Sequence, residues 1–134
     1  MKYLDCVGLL SIEDRKLLLA YSQNKKAWYL PGGKVDPSEA MVPALQREIK
    51  EELNVDLTTE GLQWYCHIEA PAFGEYDTMM RQENYLYRLA QTPEPGSEIG
   101  AVRYFTMDEY FKETYPVVGV LMVFEKLRSD GLVD

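Results

Sequence analysis

The sequence predicts a single domain over residues 1–134 of the α/β (α+β) class, in which helices pack against a mixed β-sheet. Three observations predict this class: strand patterns open the chain, one long helical pattern follows, and further strands precede two helices at the end. With 134 residues, of which 46% are apolar, the chain is long enough to bury one core without disulfides.

The predicted strands are short runs of apolar, aromatic or alternating residues, each bounded by residues that favour turns. They are residues 3–10, 16–21, 28–30, 61–69, 84–90 and 102–105. Polar or glycine- and proline-containing segments predict a turn at 12–15, a stop at Pro31-Gly32-Gly33, and loops at 71–78 and 93–100. Together these strands would supply the sheet.

The helices are predicted from periodicity and from capping residues. Residues 38–53 carry a helical pattern, and Leu45, Ile49 and Leu53 form an apolar stripe that would pack on the sheet. Thr106 and Glu109 have capping-box spacing for a helix over Met107–Glu113. Pro116 suits the first turn of a last helix that ends near Gly131.

The charge balance limits the classes of partner. The formal net charge is −8, from 22 acidic and 14 basic residues. Such a surface repels phosphate backbones, so we expect no nucleic-acid partner. A phosphorylated small molecule is still compatible with this charge, because a bound divalent cation inverts the local field.

The cysteines and the N-terminus indicate the compartment. Cys6 and Cys66 are too few for a disulfide scaffold, and we expect both to be reduced core residues. The apolar stretch at the N-terminus is broken by Asp5 and stops at Glu13, which predicts neither a signal peptide nor a membrane span. We therefore expect a cytoplasmic protein with no membrane partner.

The most informative feature is a cluster of acids on the long helix. At 100° per residue, Glu48, Glu51 and Glu52 fall within an arc of about 100° on one face. Like charges at this spacing destabilise a helix by roughly 0.2–0.5 kcal/mol per pair. A hard divalent cation with oxygen ligands reverses the sign of this interaction, so the cluster indicates a metal site.

Two neighbouring features extend the candidate site. Gly32 and Gly33 precede the helix and let the backbone approach a ligand closely, so that a backbone carbonyl there could become an uncharged metal ligand. Arg47 always carries its charge, and its planar fork suits Glu39, eight residues earlier. That pair would tie the preceding loop to the helix.

Taken together, these residues resemble the signature of the Nudix family. Eight of nine defined positions agree, namely Gly33, Glu39, Arg47, Glu48, Ile49, Glu51, Glu52 and Val55, while Asn54 stands in place of the usual glycine. The segments Trp-Tyr-Leu-Pro-Gly-Gly and Ser-Glu-Ile-Gly-Ala-Val-Arg-Tyr-Phe are similar to other Nudix elements, so the resemblance covers most of the chain. It implies a Nudix-like α/β/α sandwich with a mixed β-sheet.

Two residues depart from a regular signature helix. Asn54 lies at the helix end, where a left-handed residue is common, and Asn is the next best residue after Gly for this conformation. Pro43 lacks an amide hydrogen and would clash with the carbonyl of Glu39 in a continuous helix. We therefore expect a distorted first turn or a helix that becomes regular close to Pro43.

The resemblance implies a hydrolase that uses Mg²⁺, with Mn²⁺ as a substitute, to cleave a phosphoanhydride bond in a nucleoside diphosphate derivative. The implied metal ligands are Gly33, Glu48, Glu51 and Glu52. The implied catalytic residues are Glu39, Arg47, Glu48, Glu51, Glu52 and Glu98. Glu98 is favoured as the general base because Ser97-Glu98-Ile99 precedes a strand as in the family, with Glu75, Asp77 and Glu83 as alternatives.

The substrate and the assembly state are less defined. Nucleoside triphosphates, ADP-ribose and other nucleotide sugars, and dinucleoside polyphosphates are all candidate substrates, and many relatives form homodimers. The alternatives to a hydrolase are a non-catalytic nucleotide-sensing or partner-binding module on the same fold and an isoprenoid-diphosphate isomerase. Several aromatic residues are candidate base contacts, namely Trp28, Tyr65, Phe73, Tyr76 and Tyr85.

Overall fold

The computed structural model describes the whole chain from Met1 to Asp134. It contains eight strands and three helices. The strands are β1 (Lys2–Leu10), β2 (Ile12–Glu13), β3 (Lys16–Ser22), β4 (Ala27–Tyr29), β5 (Gly32–Lys34), β6 (Gln63–Pro71), β7 (Thr78–Leu86) and β8 (Ile99–Phe105). The helices are α1 (Met41–Leu53), α2 (Met107–Phe111) and α3 (Val118–Ser129).

The strands form two sheets of four strands each. The first has the order β5-β1-β7-β6 and is mixed, because β1 and β7 run parallel while β5 and β6 are antiparallel to their neighbours. The second is antiparallel, with β3 paired to β2, β4 and β8. The predicted mixed sheet is therefore confirmed, with a second, antiparallel sheet beside it.

Alternation along the strands divides the core into two parts. Leu9 and Leu18 lie in the part that packs against α1, whereas Leu10 and Leu17 lie in the part that packs against α2 and α3. Successive strand residues point to opposite faces, so both faces of the sheets need cover. This arrangement is the predicted α/β/α sandwich.

Helix α1 begins later than the predicted residue 38. Ala40 is its N-cap, and Pro43 is the third residue of the helix. The N–H groups of the first turn have no partner within the helix, so a proline there, which lacks this group, loses no hydrogen bond. Pro43 is therefore accommodated in the first turn. Leu45, Ile49 and Leu53 are fully buried, as the apolar stripe predicted.

The largest error in the predicted elements concerns β7. Residues 84–90 were expected to be a strand and residues 71–78 a loop, but the strand covers Thr78–Leu86. Its first half is rich in polar residues and methionine, and it is held on both sides by the backbones of β1 and β6. The glycine pair expected as a stop instead forms β5, which pairs with β1.

The terminal helices follow the predicted signals. The capping box of Thr106 and Glu109 is present at the start of α2. Helix α3 begins at Val118, shortly after Pro116, and ends at Ser129, just before Gly131. None of the three helices combines the length and the apolar character that a membrane crossing needs.

Asn54 ends α1 in the left-handed conformation, with φ 54° and ψ 40°, and its N–H group donates to the carbonyl of Lys50. An ordinary side chain in this conformation costs about 1–2 kcal/mol, whereas Asn and Gly adopt it readily. We expect Asn54→Ala to lower the free energy of unfolding by about 1 kcal/mol and Asn54→Gly to leave it nearly unchanged. Urea unfolding measures both values.

The matched control is Asn24→Ala, because Asn24 is exposed in the β3–β4 turn and its φ is not positive. This change is expected to stay within about 0.5 kcal/mol of the wild type. Equal stabilities for Asn54→Ala and Asn24→Ala would show that the left-handed end of α1 is not under conformational strain.

Candidate active site

The acidic half of α1 lies directly against the glycine strand β5. The N–H group of Gly32 donates to Oε1 of Glu52 over 2.9 Å. A Cβ atom built on Gly33 would lie only 2.5 Å from the carboxylate carbon of Glu48. Strand β5 is held in place by its pairing with β1, in which Gly33 is opposite Val7. The absence of side chains on Gly32 and Gly33 therefore lets two carboxylates of α1 approach the backbone of β5.

Glu52 is the most perturbed acid in this region. Burial raises its pKa to about 8, and the negative charges of Glu48, Glu51 and Glu98 add to the rise. The hydrogen bond from Gly32 opposes it by stabilising the carboxylate. A carboxylate in this position is poorly solvated and surrounded by like charge, and a cation would stabilise it.

Arg47 lies at the centre of the ion pairs around the helix. Its Nε and Nη2 atoms donate to the two oxygens of Glu39, each over 2.9 Å, and its Nη1 atom donates to Glu48 over 2.9 Å. Nη2 also donates to the carbonyl of Lys34 over 3.2 Å. This guanidinium thereby joins α1, β5 and the loop between them.

Glu39 in turn fixes the loop before α1. It accepts from the N–H group of Asp36 over 3.1 Å as well as from Arg47. These hydrogen bonds, with that of Arg47 first, lower the pKa of Glu39 to about 2. The acid is therefore charged throughout the neutral and mildly acidic range.

The three acids of the predicted metal site have different surroundings. The side chain of Glu48 is 17% exposed and is bound to Arg47, and burial raises its pKa although Arg47 opposes the rise. The side chain of Glu51 is 52% exposed and lies 3.7 Å from Arg47. No three Asp, Glu, His or Cys side chains already stand at the spacing of a formed metal site.

These residues nevertheless fit a hard divalent cation. Carboxylates and the backbone carbonyls of β5 are oxygen donors, which Mg²⁺ prefers. The space that a side chain on residue 33 would fill lies beside the carboxylate of Glu48. Glu52 is partly buried next to the same strand and bound only to a neutral N–H group. A metal would draw these carboxylates together against their mutual repulsion.

A second segment brings Glu98 to the site. The N–H groups of Glu94, Gly96 and Ser97 donate to the carbonyls of Leu53, Glu52 and Glu51 over 2.9, 2.7 and 3.2 Å. These bonds satisfy carbonyls that the end of a helix leaves without partners. A Cβ atom on Gly96 would lie 2.1 Å from the carbonyl oxygen of Glu51, so the loop contacts α1 closely.

Glu98 follows this loop in the left-handed conformation, with φ 60°. A residue of this type in that conformation is strained, and such strain is concentrated at functional sites. Glu98 lines the same cavity as Glu52, whereas two alternative base candidates are held elsewhere. Asp77 pairs with the N-terminus over 3.4 Å, and Glu83 is bound to His67 and to Trp64.

The cavity that these acids line has a volume of about 220 Å³. Its lining includes Gly32, Gly33, Glu52 and Glu98. Nine of the 19 lining residues are hydrophobic, and they include Leu4, Tyr29, Leu30, Phe73 and Met80. A second cavity of about 640 Å³ lies near the ends of β1 and β7, but none of the candidate residues lines it.

Sequence patterns alone missed several residues of this cavity. Gln82 and Met80 were overlooked because they lie between the predicted loop at 71–78 and the predicted strand at 84–90, in a segment that no pattern assigned to an element. Phe73 is the only one of the five aromatic candidates for base contact that lines the cavity. Among the others, Tyr76 is 95% exposed and Tyr65 is bound to Asp130. No signal in the sequence separates Phe73 from these residues before the fold is known.

Comparisons with known proteins agree with the geometry. A family model of the NUDIX domain matches residues 2–120. The 8-oxo-dGDP phosphatase of Homo sapiens is 40% identical over 62 residues, which are 45% of this chain and 19% of that protein. The CTP pyrophosphohydrolase of Escherichia coli is 40% identical over 62 residues, which are 43% of this chain and 46% of that protein. The chain thus matches less than half the length of each of these relatives.

Solved structures share the fold. A MutT NUDIX hydrolase from Burkholderia pseudomallei has a TM-score of 0.75 at 22% identity, over 94% of this chain and 98% of that chain. A bifunctional NMN adenylyltransferase/ADP ribose pyrophosphatase from Francisella tularensis, complexed with AMP and a Mn ion, has a TM-score of 0.69 at 19% identity, over 96% and 42% of the two chains. These likenesses confirm the predicted fold class.

The Glu39–Arg47 pair predicts a defined loss of stability in acid. Because the pKa of Glu39 is lowered to about 2 in the folded protein from an ordinary value of 4.5, the pair stabilises the fold above pH 4.5. This stabilisation is lost as the pH falls through about 2. Glu39→Gln is therefore expected to be less stable than the wild type at pH 7, with a difference that shrinks towards pH 2, as measured by urea unfolding.

Glu60→Gln, which changes an exposed acid outside the Arg47 cluster, is the control and should match the wild type across this range. A stability difference between the wild type and Glu39→Gln that stayed constant from pH 7 to pH 2 would contradict the role of the charged pair.

Proposed function

The chain belongs to the Nudix family, and we propose that it is a Mg²⁺-dependent hydrolase that cleaves a phosphoanhydride bond in a nucleoside diphosphate derivative. The observation that carries this proposal is the partly buried acid Glu52, held against the glycine strand and lining a cavity. Relatives named as a CTP pyrophosphohydrolase and an 8-oxo-dGDP phosphatase support a nucleotide substrate. Nucleoside triphosphates and ADP-ribose-like nucleotide sugars are the candidate classes.

Glu48, Glu51 and Glu52 would hold the cation, together with the carbonyl of Gly33. The bound metal would neutralise the diphosphate oxygens and polarise the attacking water. Mn²⁺ is proposed as a substitute, since a structural neighbour is described with a Mn ion. Arg47 orients Glu48 through their hydrogen bond, and Glu39 holds Arg47 in turn. Glu39 and Arg47 are therefore positioning residues in this proposal.

Glu98 is proposed as the general base. It lies on the same cavity as Glu52, and its charge contributes to the raised pKa of Glu52. The loop over Glu94–Ser97 fixes it relative to α1 by three backbone hydrogen bonds. Of the other candidates only Glu75 lines this cavity, and it lies 3.4 Å from the ammonium group of Lys25.

The single domain over residues 1–134, the cytoplasmic location and the homodimer stay predictions.

The non-catalytic module and the isoprenoid-diphosphate isomerase differ from the hydrolase in their products. Only the hydrolase releases phosphate or pyrophosphate, or splits a nucleotide sugar into a nucleoside monophosphate and a sugar phosphate.

We expect the wild type with Mg²⁺ to hydrolyse at least one member of a panel of nucleoside triphosphates, nucleotide sugars and dinucleoside polyphosphates. Glu52→Gln should lower kcat on that substrate by about 100-fold or more, because it removes a charged metal ligand. Chromatography of the products and release of phosphate or pyrophosphate measure both activities.

Glu60→Gln is again the matched control and should keep wild-type activity. In chelator, Glu52→Gln should unfold at the same temperature as the wild type or higher, since a neutral amide is easier to bury than a carboxylate. Full activity of Glu52→Gln would overturn the metal assignment. A wild type that is inactive on the whole panel would overturn the hydrolase.

Glu98→Gln tests the general base. Removing a general base typically lowers kcat by about 10²–10⁴-fold, and the substrate should still bind with a similar KM. The pH–rate profile should also lose its acid limb, because that limb reports the protonation of the base. Steady-state kinetics from pH 5 to pH 9 measure both effects. Glu94→Gln on the same loop is the control, and an equal loss in both variants would exclude the assignment.

A further inference from the structure

We propose that Gly96 is a positioning residue, because it lets the turn that carries Glu98 dock directly onto the backbone of the proposed metal ligands. The inference rests on the proposed function, in which Glu98 is the general base and Glu51 and Glu52 hold the cation. It adds the physical link between these two parts of the site, and it names the residue on which that link depends.

The backbone of Gly96 lies against the end of α1 with no space for a side chain. Its N–H group donates to the carbonyl of Glu52 over 2.7 Å, and that of Ser97 donates to the carbonyl of Glu51 over 3.2 Å. A Cβ atom on Gly96 would lie 2.1 Å from the carbonyl oxygen of Glu51 and 3.3 Å from that of Glu52. Backbone atoms cannot rotate away as a side chain can, so this contact requires glycine.

Glu98 is held by a turn that starts at Gly96. The N–H group of Ile99 donates to the carbonyl of Gly96 over 3.0 Å, which closes a four-residue turn around Ser97 and Glu98. The carbonyl of Glu98 accepts from the N–H group of Gln23 over 2.9 Å. The backbone of Glu98 is therefore fixed from two sides, by α1 through Gly96 and by the β3–β4 turn through Gln23.

The conformation of Glu98 indicates that its side chain is used at this position. Glu98 is the third residue of the turn and has a φ of 60°, where glycine or asparagine is favoured. Asn54, at the end of α1, has a φ of 54° and is of a favoured type. Glutamate at such a φ costs stability that glycine would not cost. Strained residues of this kind are concentrated at functional sites.

A side chain at residue 96 would displace the loop rather than α1. Three fully buried residues anchor α1, namely Leu45, Ile49 and Leu53. Residues 94–98 are exposed, so the loop has fewer contacts that resist a shift. The turn would therefore move away from α1 and take Glu98 with it, whereas Glu51 and Glu52 would keep their places. The metal site should survive this change while the general base moves.

The test combines Gly96→Ala with Glu98→Gln in a double-mutant cycle. For the wild type, both single variants and the double variant, kcat and KM are measured with Mg²⁺ on the substrate that the panel identifies. The affinity for Mn²⁺ alone and the urea midpoint are measured for each protein. Gly61→Ala is the matched control, because a Cβ atom there would lie 2.7 Å from the ring of Tyr87 but outside the cavity.

We expect Gly96→Ala to lower kcat by about 10- to 100-fold with little change in KM or Mn²⁺ affinity, because a displacement of about 1 Å costs this much rate. In the Glu98→Gln background the same change should lower kcat by less than about twofold, since the group through which Gly96 acts is already absent. Gly61→Ala should lower the urea midpoint and leave kcat unchanged in both backgrounds.

Pro95→Gly is a second variant, which loosens the loop without adding a side chain. It should also lower kcat in the wild type and leave kcat of Glu98→Gln unchanged, so the cycle can be completed even if Gly96→Ala does not fold. Equal losses of kcat in both backgrounds would show that the turn does not act through Glu98 and would overturn the inference. A tenfold weaker Mn²⁺ affinity of Gly96→Ala would overturn it as well, because α1 would then have moved.

Amide hydrogen exchange separates this inference from the proposed function. If the wild type hydrolyses nothing on the panel, the hydrolase falls, and exchange at the Ser97 amide then decides whether the turn is docked on α1. Slow exchange in the wild type that becomes fast in Gly96→Ala would support the docked turn. Fast exchange in the wild type would overturn it, whatever the activity.

Discussion

The contact between α1 and the glycine strand β5 is the constraint on which the site depends. A side chain at Gly33 would overlap the carboxylate of Glu48, and one at Gly32, where φ is +146°, would lie 2.0 Å from the carbonyl oxygen of Val7. Gly32 is therefore closed to any residue with a Cβ atom, and a side chain at Gly33 would displace the carboxylate of Glu48. Because β5 is fixed between β1 and α1, the two carboxylates reach a backbone that cannot move away from them.

The charges around this contact are only partly balanced. The Arg47 guanidinium lies within 4.0 Å of four carboxylates, those of Asp36, Glu39, Glu48 and Glu51. Glu52 receives only a neutral hydrogen bond, and its pKa is raised to about 8. In a chain with net charge −8, such a site attracts cations before it attracts phosphates. The order of binding would then follow from electrostatics, with the metal preparing the site for an anionic substrate.

Local patterns predicted those parts of the molecule that local physics determines. The apolar stripe of α1, the left-handed Asn54 and the capping box of α2 all depend on neighbours within a few residues. Helix α1 starts at Met41 rather than at residue 38 because a proline is tolerated only in the first turn of a helix, and Pro43 lies in that turn. The acids of α1 and the glycines before it were identified from their spacing and residue types, whereas Glu98 was identified through the family resemblance. Gln82 and Met80 were not identified as cavity residues, because the cavity lies between strands that are distant in sequence.

The parallel pairing of β1 with β7 has a consequence for how the chain acquires its structure. The first strand finds its central partner only in residues 78–86, beyond α1 and β6. Such non-local pairing slows folding, because the entropy cost of closing a long loop is met before the stabilising contacts form. During synthesis one edge of β1 therefore stays unpaired until β7 has been made, and an unpaired edge can bind strands of other chains. The same topology that encloses the cavity thus exposes the nascent protein to aggregation.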